Sequence, residues 1–200
     1  MINLVNQEEH FKNHVAKFTD YGNIKILDFQ KPGRSEYRIR FLFEEDFYRL
    51  HISGDLGELI ACNYENMTYE GMKDFVNNPY YFEEKIDCHS RRLYTYDVEK
   101  AKEELKKEFE EEGSFDDDNY CDTWEEAVEC KIREILWDFD GNSGLGPEGY
   151  EALEKMNLDA ASYSNLGKER TGIIELYMLA FRLAQKDLKR QKSEVQHDSV

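Results

Sequence analysis

The order of apolar and polar positions divides the chain into an early alternating part and a later helical part. Near the start, Phe11, Val15 and Phe18 recur at helical spacing. Asn6 followed by Glu9 reads as an N-cap with its return partner, so a helix is predicted over residues 7–18. A strand is predicted at 24–29, and Lys31-Pro32-Gly33-Arg34 reads as a turn. The clearest period of two follows, where Tyr37, Ile39, Phe41 and Phe43 alternate with Arg38, Arg40 and Leu42. Two more strands, 47–53 and 57–64, flank Gly54-Asp55-Leu56-Gly57, a tight hairpin turn. Pairing residue 54 with 57 sets Leu50 against Ala61 and Ile52 against Leu59. It leaves His51 and Cys62 together on the other face.

Beyond residue 65 the period becomes helical. Tyr69, Met72, Phe75 and Val76 mark one helix, and Asn78-Pro79 starts the next, because Pro suits the first helical position. Residues 97–112 form a charged helix with a narrow stripe of Val98, Ala101, Leu105 and Phe109. Asp122 or Thr123 caps a stronger helix bearing Trp124, Ala127, Val128, Ile132, Ile135, Leu136 and Phe139. A short helix begins at Pro147. The last runs over 171–190, with apolar positions broad enough to be buried on more than one side. Residues 191–200 read as a frayed tail. Strands first and helices later give an α+β class. The expected organisation is one domain over 1–190: a helix with an antiparallel meander to residue 65, then helices over 66–190.

Composition adds exclusions. The 200 residues are 40% hydrophobic and 14% aromatic, enough for a real core. No run of about 18 apolar residues predicts a transmembrane helix. The first residues lack the apolar stretch of a signal peptide, so a cytoplasmic location is expected. The chain carries 43 acidic and 26 basic side chains, a net charge of −17. That disfavours direct contact with nucleic acid or an anionic membrane, where Lys and Arg must neutralise phosphates.

The charge is concentrated. Residues 97–122 hold twelve acids and four lysines, and 123–140 add six acids against two bases. Carboxylates on successive helical turns lie several ångström apart, comparable to backbone phosphates. Such a surface suits a basic groove that normally holds nucleic acid. A solvated helix face is the alternative reading, and the four lysines over 100–107 favour it there, as in the i,i+4 pair Glu103–Lys107. Glu110, Glu111 and Glu112, with Asp116, Asp117 and Asp118, have no basic neighbours in sequence and are the candidate partner-binding residues.

Metal positions are incomplete. The four cysteines read as free thiols or metal ligands rather than disulfides. Cys88-His89 is expected in a loop, Cys121 just before a helix, and Cys130 on a polar helix face. Together they form a candidate zinc set without the two-residue spacing of a knuckle. His10 and His14 read as polar residues flanking the first helix. Asp138, Asp140 and Asn142 resemble the opening of a calcium loop, but Ser143 replaces the turn glycine and Gly149 the bidentate Glu. A Gly-rich turn is the expected reading there, and calcium is disfavoured. No phosphate loop, nucleophile elbow or acid–base pair stands out, so no catalytic residue is assigned.

Ile52-Ser53-Gly54-Asp55-Leu56-Gly57-Glu58-Leu59-Ile60 resembles small accessory proteins of phages and prophages of Gram-positive bacteria. Residues 78–86 and Leu179-Ala180-Phe181-Arg182-Leu183-Ala184 add to that resemblance. The likeness covers about half the chain and has no motif specific to one chemistry. An acidic, compact member of this group is similar to anti-CRISPR proteins of the type II-A class. The resemblance implies a phage-encoded, non-enzymatic binding protein in the host cytoplasm. It would block nucleic-acid loading by a host RNA-guided nuclease or another basic nucleic-acid-binding protein. Two alternatives stand beside it: a metal-stabilised structural or regulatory module, and an enzyme acting on a nucleotide signal.

Overall fold

The computed structural model describes residues 4–112 and 123–197. In chain order the elements are helix α1 (Leu4–Gln7), a 3-10 turn (Glu8–Phe11), and strands β1 (Val15–Asp20), β2 (Ile24–Gln30), β3 (Ile39–Glu44), β4 (Arg49–Gly54) and β5 (Leu59–Cys62). Then come α2 (Lys73–Val76), α3 (Pro79–Glu83), β6 (Ile86–His89), β7 (Tyr94–Tyr96), α4 (Val98–Glu112), α5 (Trp124–Ile135), α6 (Pro147–Lys155), β8 (Lys168–Arg170) and α7 (Ile173–His197). The class is α+β, with a six-stranded antiparallel sheet. Among the described residues no helix is long and apolar enough to cross a membrane.

The chain divides into two compact units, residues 1–93 with 172–200, and residues 94–171. The sequence pattern treats 1–190 as one domain that changes character near 65. The observed division falls after β6 and before α7 instead.

In the first unit β1 to β6 pair in sequence order, each with the next. The hairpin register is the expected one: Leu50 faces Ala61 and Ile52 faces Leu59. It depends on Gly54, at φ 143, where a Cβ would collide with the Arg38 carbonyl. Leu27, Phe41, Phe43, Leu50 and Ile52 line one face and are fully buried with Tyr177 and Phe181 of α7. Phe181 is the hub, edge-on to Phe41 at 5.2 Å and to Phe43 at 6.2 Å. The Tyr177 hydroxyl donates to the Leu56 carbonyl at 3.0 Å, and burial pushes its pKa up to about 12.

Four expectations are corrected here. The helix over 7–18 stops early. Asn6 lies inside α1 rather than at its cap, and Asn13 turns left-handed at φ 68. Val15 to Asp20 then form a strand: Val15 is 42% exposed while Ala16 is 2% exposed, a period of two. Pairing with β2 outweighs a helical spacing built from only three residues. Residues 66–190 are not all helical, because β6 closes the sheet and β7 pairs with β8. Strands of three or four residues are too short to show periodicity. Finally, residues 191–197 continue α7, where a frayed tail was expected.

The second unit packs α4, α5, α6 and the β7–β8 ribbon around Leu105, Phe109, Val128, Ile135, Leu153 and Tyr163. Three of the four residues in the expected α4 stripe, Ala101, Leu105 and Phe109, are fully buried, while Val98 on the first turn is 39% exposed. Asp97 accepts from the Lys100 N–H at 2.8 Å, and Thr123 accepts from the Glu126 N–H at 3.2 Å, so both long helices start at side-chain caps.

Candidate functional site

The units share the charge unequally. Residues 94–171 carry 23 acidic and 9 basic side chains, a net of −14; the rest of the chain carries 20 and 17, a net of −3. Some of these carboxylates are structural. Glu104 accepts from the Gly167 N–H at 2.7 Å, and Glu108 accepts from the Tyr163 hydroxyl at 2.8 Å. Glu110 and Glu111 are exposed on the last turn of α4. Lys107 pairs with Glu111 at 3.7 Å, not with Glu103 as the sequence suggested. Glu111 therefore does have a basic neighbour, one helical turn before it, contrary to the sequence reading. Glu112 ends the helix, and Asp116, Asp117 and Asp118 lie outside the described residues. On α5, Glu125, Glu126, Glu129 and Glu134 are exposed.

Sequence reasoning missed Trp137, just beyond α5, which is 74% exposed. It borders a groove of about 560 Å³ between α4 and α5, floored by Val98, Ile132 and Leu136. Large exposed aromatics beside a groove are typical anchors of interfaces. The available signal was its position, one residue past Leu136 and off the buried stripe.

The candidate zinc set divides between the units. Cys88 and His89 lie on edge strand β6, not in a loop, and the His89 ring meets the Arg91 carbonyl at 2.7 Å. Cys130 is exposed on α5, as its helical position predicted, while Cys121 lies outside the described residues. Among the described residues no group of three or more His, Cys, Asp or Glu is placed to hold a metal ion. The Asp138–Gly144 segment is a turn. Asp138 accepts from the Glu148 and Gly149 N–H groups at 2.9 and 3.0 Å, capping α6, and Asp140 pairs with Gly144. His14 is not a polar flank. It is 6% exposed, edge-on to Phe11 and 5.1 Å from Phe29.

The outer face of the sheet spends its charges on cross-strand pairs. Arg40 forks onto Asp28 at 2.7 and 3.1 Å, and His51 meets Glu44 at 2.9 Å. Arg49 donates to the Cys62 sulfur at 3.4 Å, yet burial, with Asp87 adding, holds that thiol above its usual range, so it is a weak nucleophile. On the opposite, core-facing side of the sheet Lys25, in register with Phe43, lies between Glu45 and Glu70, 2.9 Å from each.

The chain matches no family model, no curated protein and no solved structure.

Proposed function

We propose that this chain is a binding protein whose acidic helical unit occupies a cationic nucleic-acid channel of another protein. The target would be a host RNA-guided nuclease, with loading of guide or target strand blocked. One observation carries the reading: a net of −14 confined to 78 residues, with Glu110 and Glu111 exposed at the end of α4 and Glu125, Glu126 and Glu134 exposed on α5. Such a field steers association with a basic groove and gives strong salt dependence. An RNA-guided nuclease holds its heteroduplex in a positively charged channel. A stoichiometric blocker needs no reactive group of its own, and the sheet's ionic pairs are satisfied by one another.

The test is DNA cleavage by a panel of type II RNA-guided nucleases, titrated with this protein at low and high salt. Inhibition saturating near one-to-one and weakening with salt is expected. Replacing Glu110, Glu111, Glu112, Asp116, Asp117 and Asp118 by Ser or Asn should raise the inhibitory constant and flatten the salt dependence. Cleavage unaffected across the panel would overturn the reading.

A further inference from the structure

The α4–α5 groove is apolar at its floor and electrically balanced at its rim, in a unit that is otherwise strongly acidic. Its α4 rim is a single exposed stripe of Glu99, Lys102, Glu103 and Lys106, spaced i, i+3, i+4, i+7. The α5 rim adds Glu129 and Arg133, one of each sign. This arrangement has a property that a uniformly acidic helix lacks. Set against a second α4 running the opposite way, about an axis between residues 102 and 103, it is self-complementary. Glu99 then faces Lys106 of the second copy, and Lys102 faces its Glu103. In a parallel arrangement each residue would meet its own like, and like charges repel.

From this charge pattern and the exposed Trp137 we infer that the α4–α5 face is a two-fold interface between two copies of this chain, with α4 antiparallel to α4. A two-fold interface requires a self-complementary patch, and the stripe supplies one. A purely basic partner helix would meet Lys102, Lys106 and Arg133, and a purely acidic one would meet the three glutamates. A second copy satisfies both signs. Val98, Ile132 and Leu136 provide the floor on which the facing copy closes, and Trp137 supplies a large apolar anchor at its edge. The Glu99–Lys102 pair within one copy, 2.7 Å long, is exposed, so exchanging it for pairs across the axis costs little. This inference concerns a different part of the unit from Glu110–Glu112 and does not depend on the nuclease reading.

Sedimentation velocity on the full chain across a wide concentration range tests it, in a Trp124→Phe background where Trp137 is the only tryptophan. A concentration-dependent dimer is expected, with Trp137 emission shifting to the blue as it forms. Two rim variants then decide the geometry, with circular dichroism confirming that each is folded. Lys102→Glu/Lys106→Glu makes the α4 stripe wholly acidic, and Glu99→Lys/Glu103→Lys makes it wholly basic. Each alone should be monomeric, and an equimolar mixture should restore a one-to-one dimer. A chain that stays monomeric at the highest concentration overturns the inference. So does a dimer that survives both reversals, or a mixture of folded variants that fails to associate.

Discussion

His14 shows how one side chain holds a strained turn. Its Nε2 lies 3.3 Å from the Tyr37 carbonyl, so that nitrogen carries the hydrogen and donates. Tyr37 is left-handed at φ 55, costly for a bulky residue, and its N–H donates to Asp55 at 3.0 Å. Thus His14 and Asp55 grip both polar groups of the turn, while His10 stacks on the Tyr37 ring at 4.5 Å. The His14 Nδ1 is buried without a partner. Burial therefore disfavours the imidazolium, and nearby carbonyls recover only part of that cost, so the pKa lies below 6.5. The sign follows from proton counts. Between the lowered folded value and 6.5 the unfolded chain binds more protons, so stability rises with pH through that window and is level, for this group, above it. Urea unfolding from about pH 5 to about pH 7.5 should show this slope, and His14→Gln, which keeps a donor but does not titrate, should remove its share. An unchanged slope would assign it to other groups.

At the scale of elements, the last turns of α7 solve the problem of an exposed sheet edge. β1 has β2 on one side only, which leaves backbone groups open to pairing with another chain. The Ala16 N–H donates to Asp187 Oδ2 at 2.9 Å, and Gln191 Nε2 donates to the Ala16 carbonyl at 3.0 Å. Gln191 also donates to Asp187 at 2.7 Å. Burial pushes the Asp187 carboxyl up, but the Ala16, Gln191 and Arg190 donors outweigh it and hold it below its usual range. Residues 187 and 191 stand one turn apart on the helix, so both reach one residue of the strand. Replacing both by Ala should cost about 1–3 kcal/mol in chemical denaturation, since each lost bond is worth about 1 kcal/mol or slightly more. The same variant should aggregate faster, measured by light scattering. Equal stability and solubility would show that the cap is dispensable.

The whole molecule has the logic of an insertion. The helical unit leaves the sheet unit after Leu93 and returns at Gly172, and its first and last elements, β7 and β8, pair with each other. Tyr94 lies opposite Arg170, so entry and exit are about 5 Å apart by ordinary strand geometry. Each unit has its own hydrophobic core. Replacing residues 94–171 by a short Gly-Ser linker should therefore leave a sheet unit with cooperative thermal unfolding and a near-ultraviolet signal from its packed aromatics. Loss of cooperative unfolding would mean that the cores fold as one. The same excision removes most of the net charge, so it should abolish the salt-dependent binding proposed for the acidic helices.

What the sequence determined by itself is local and periodic. The alternation around Phe41, the glycine hairpin at 54–57, the cap at Thr123 and the stripe Ala101–Leu105–Phe109 each rest on neighbours within a turn or a hairpin, so the pattern sufficed. The uneven charge was legible as well, because it is a count. Tertiary structure decided what depends on distant partners. Val15 to Asp20 became a strand because β2 was there to pair with it. His14 was buried by Phe29, and residues beyond 190 stayed helical where Gln191 reaches Ala16. Trp137 was left exposed because the buried stripe of α5 turned away from it. The boundary at residues 93 and 171 was decided by two three-residue strands, whose pairing across 71 intervening positions leaves no periodic trace in the chain.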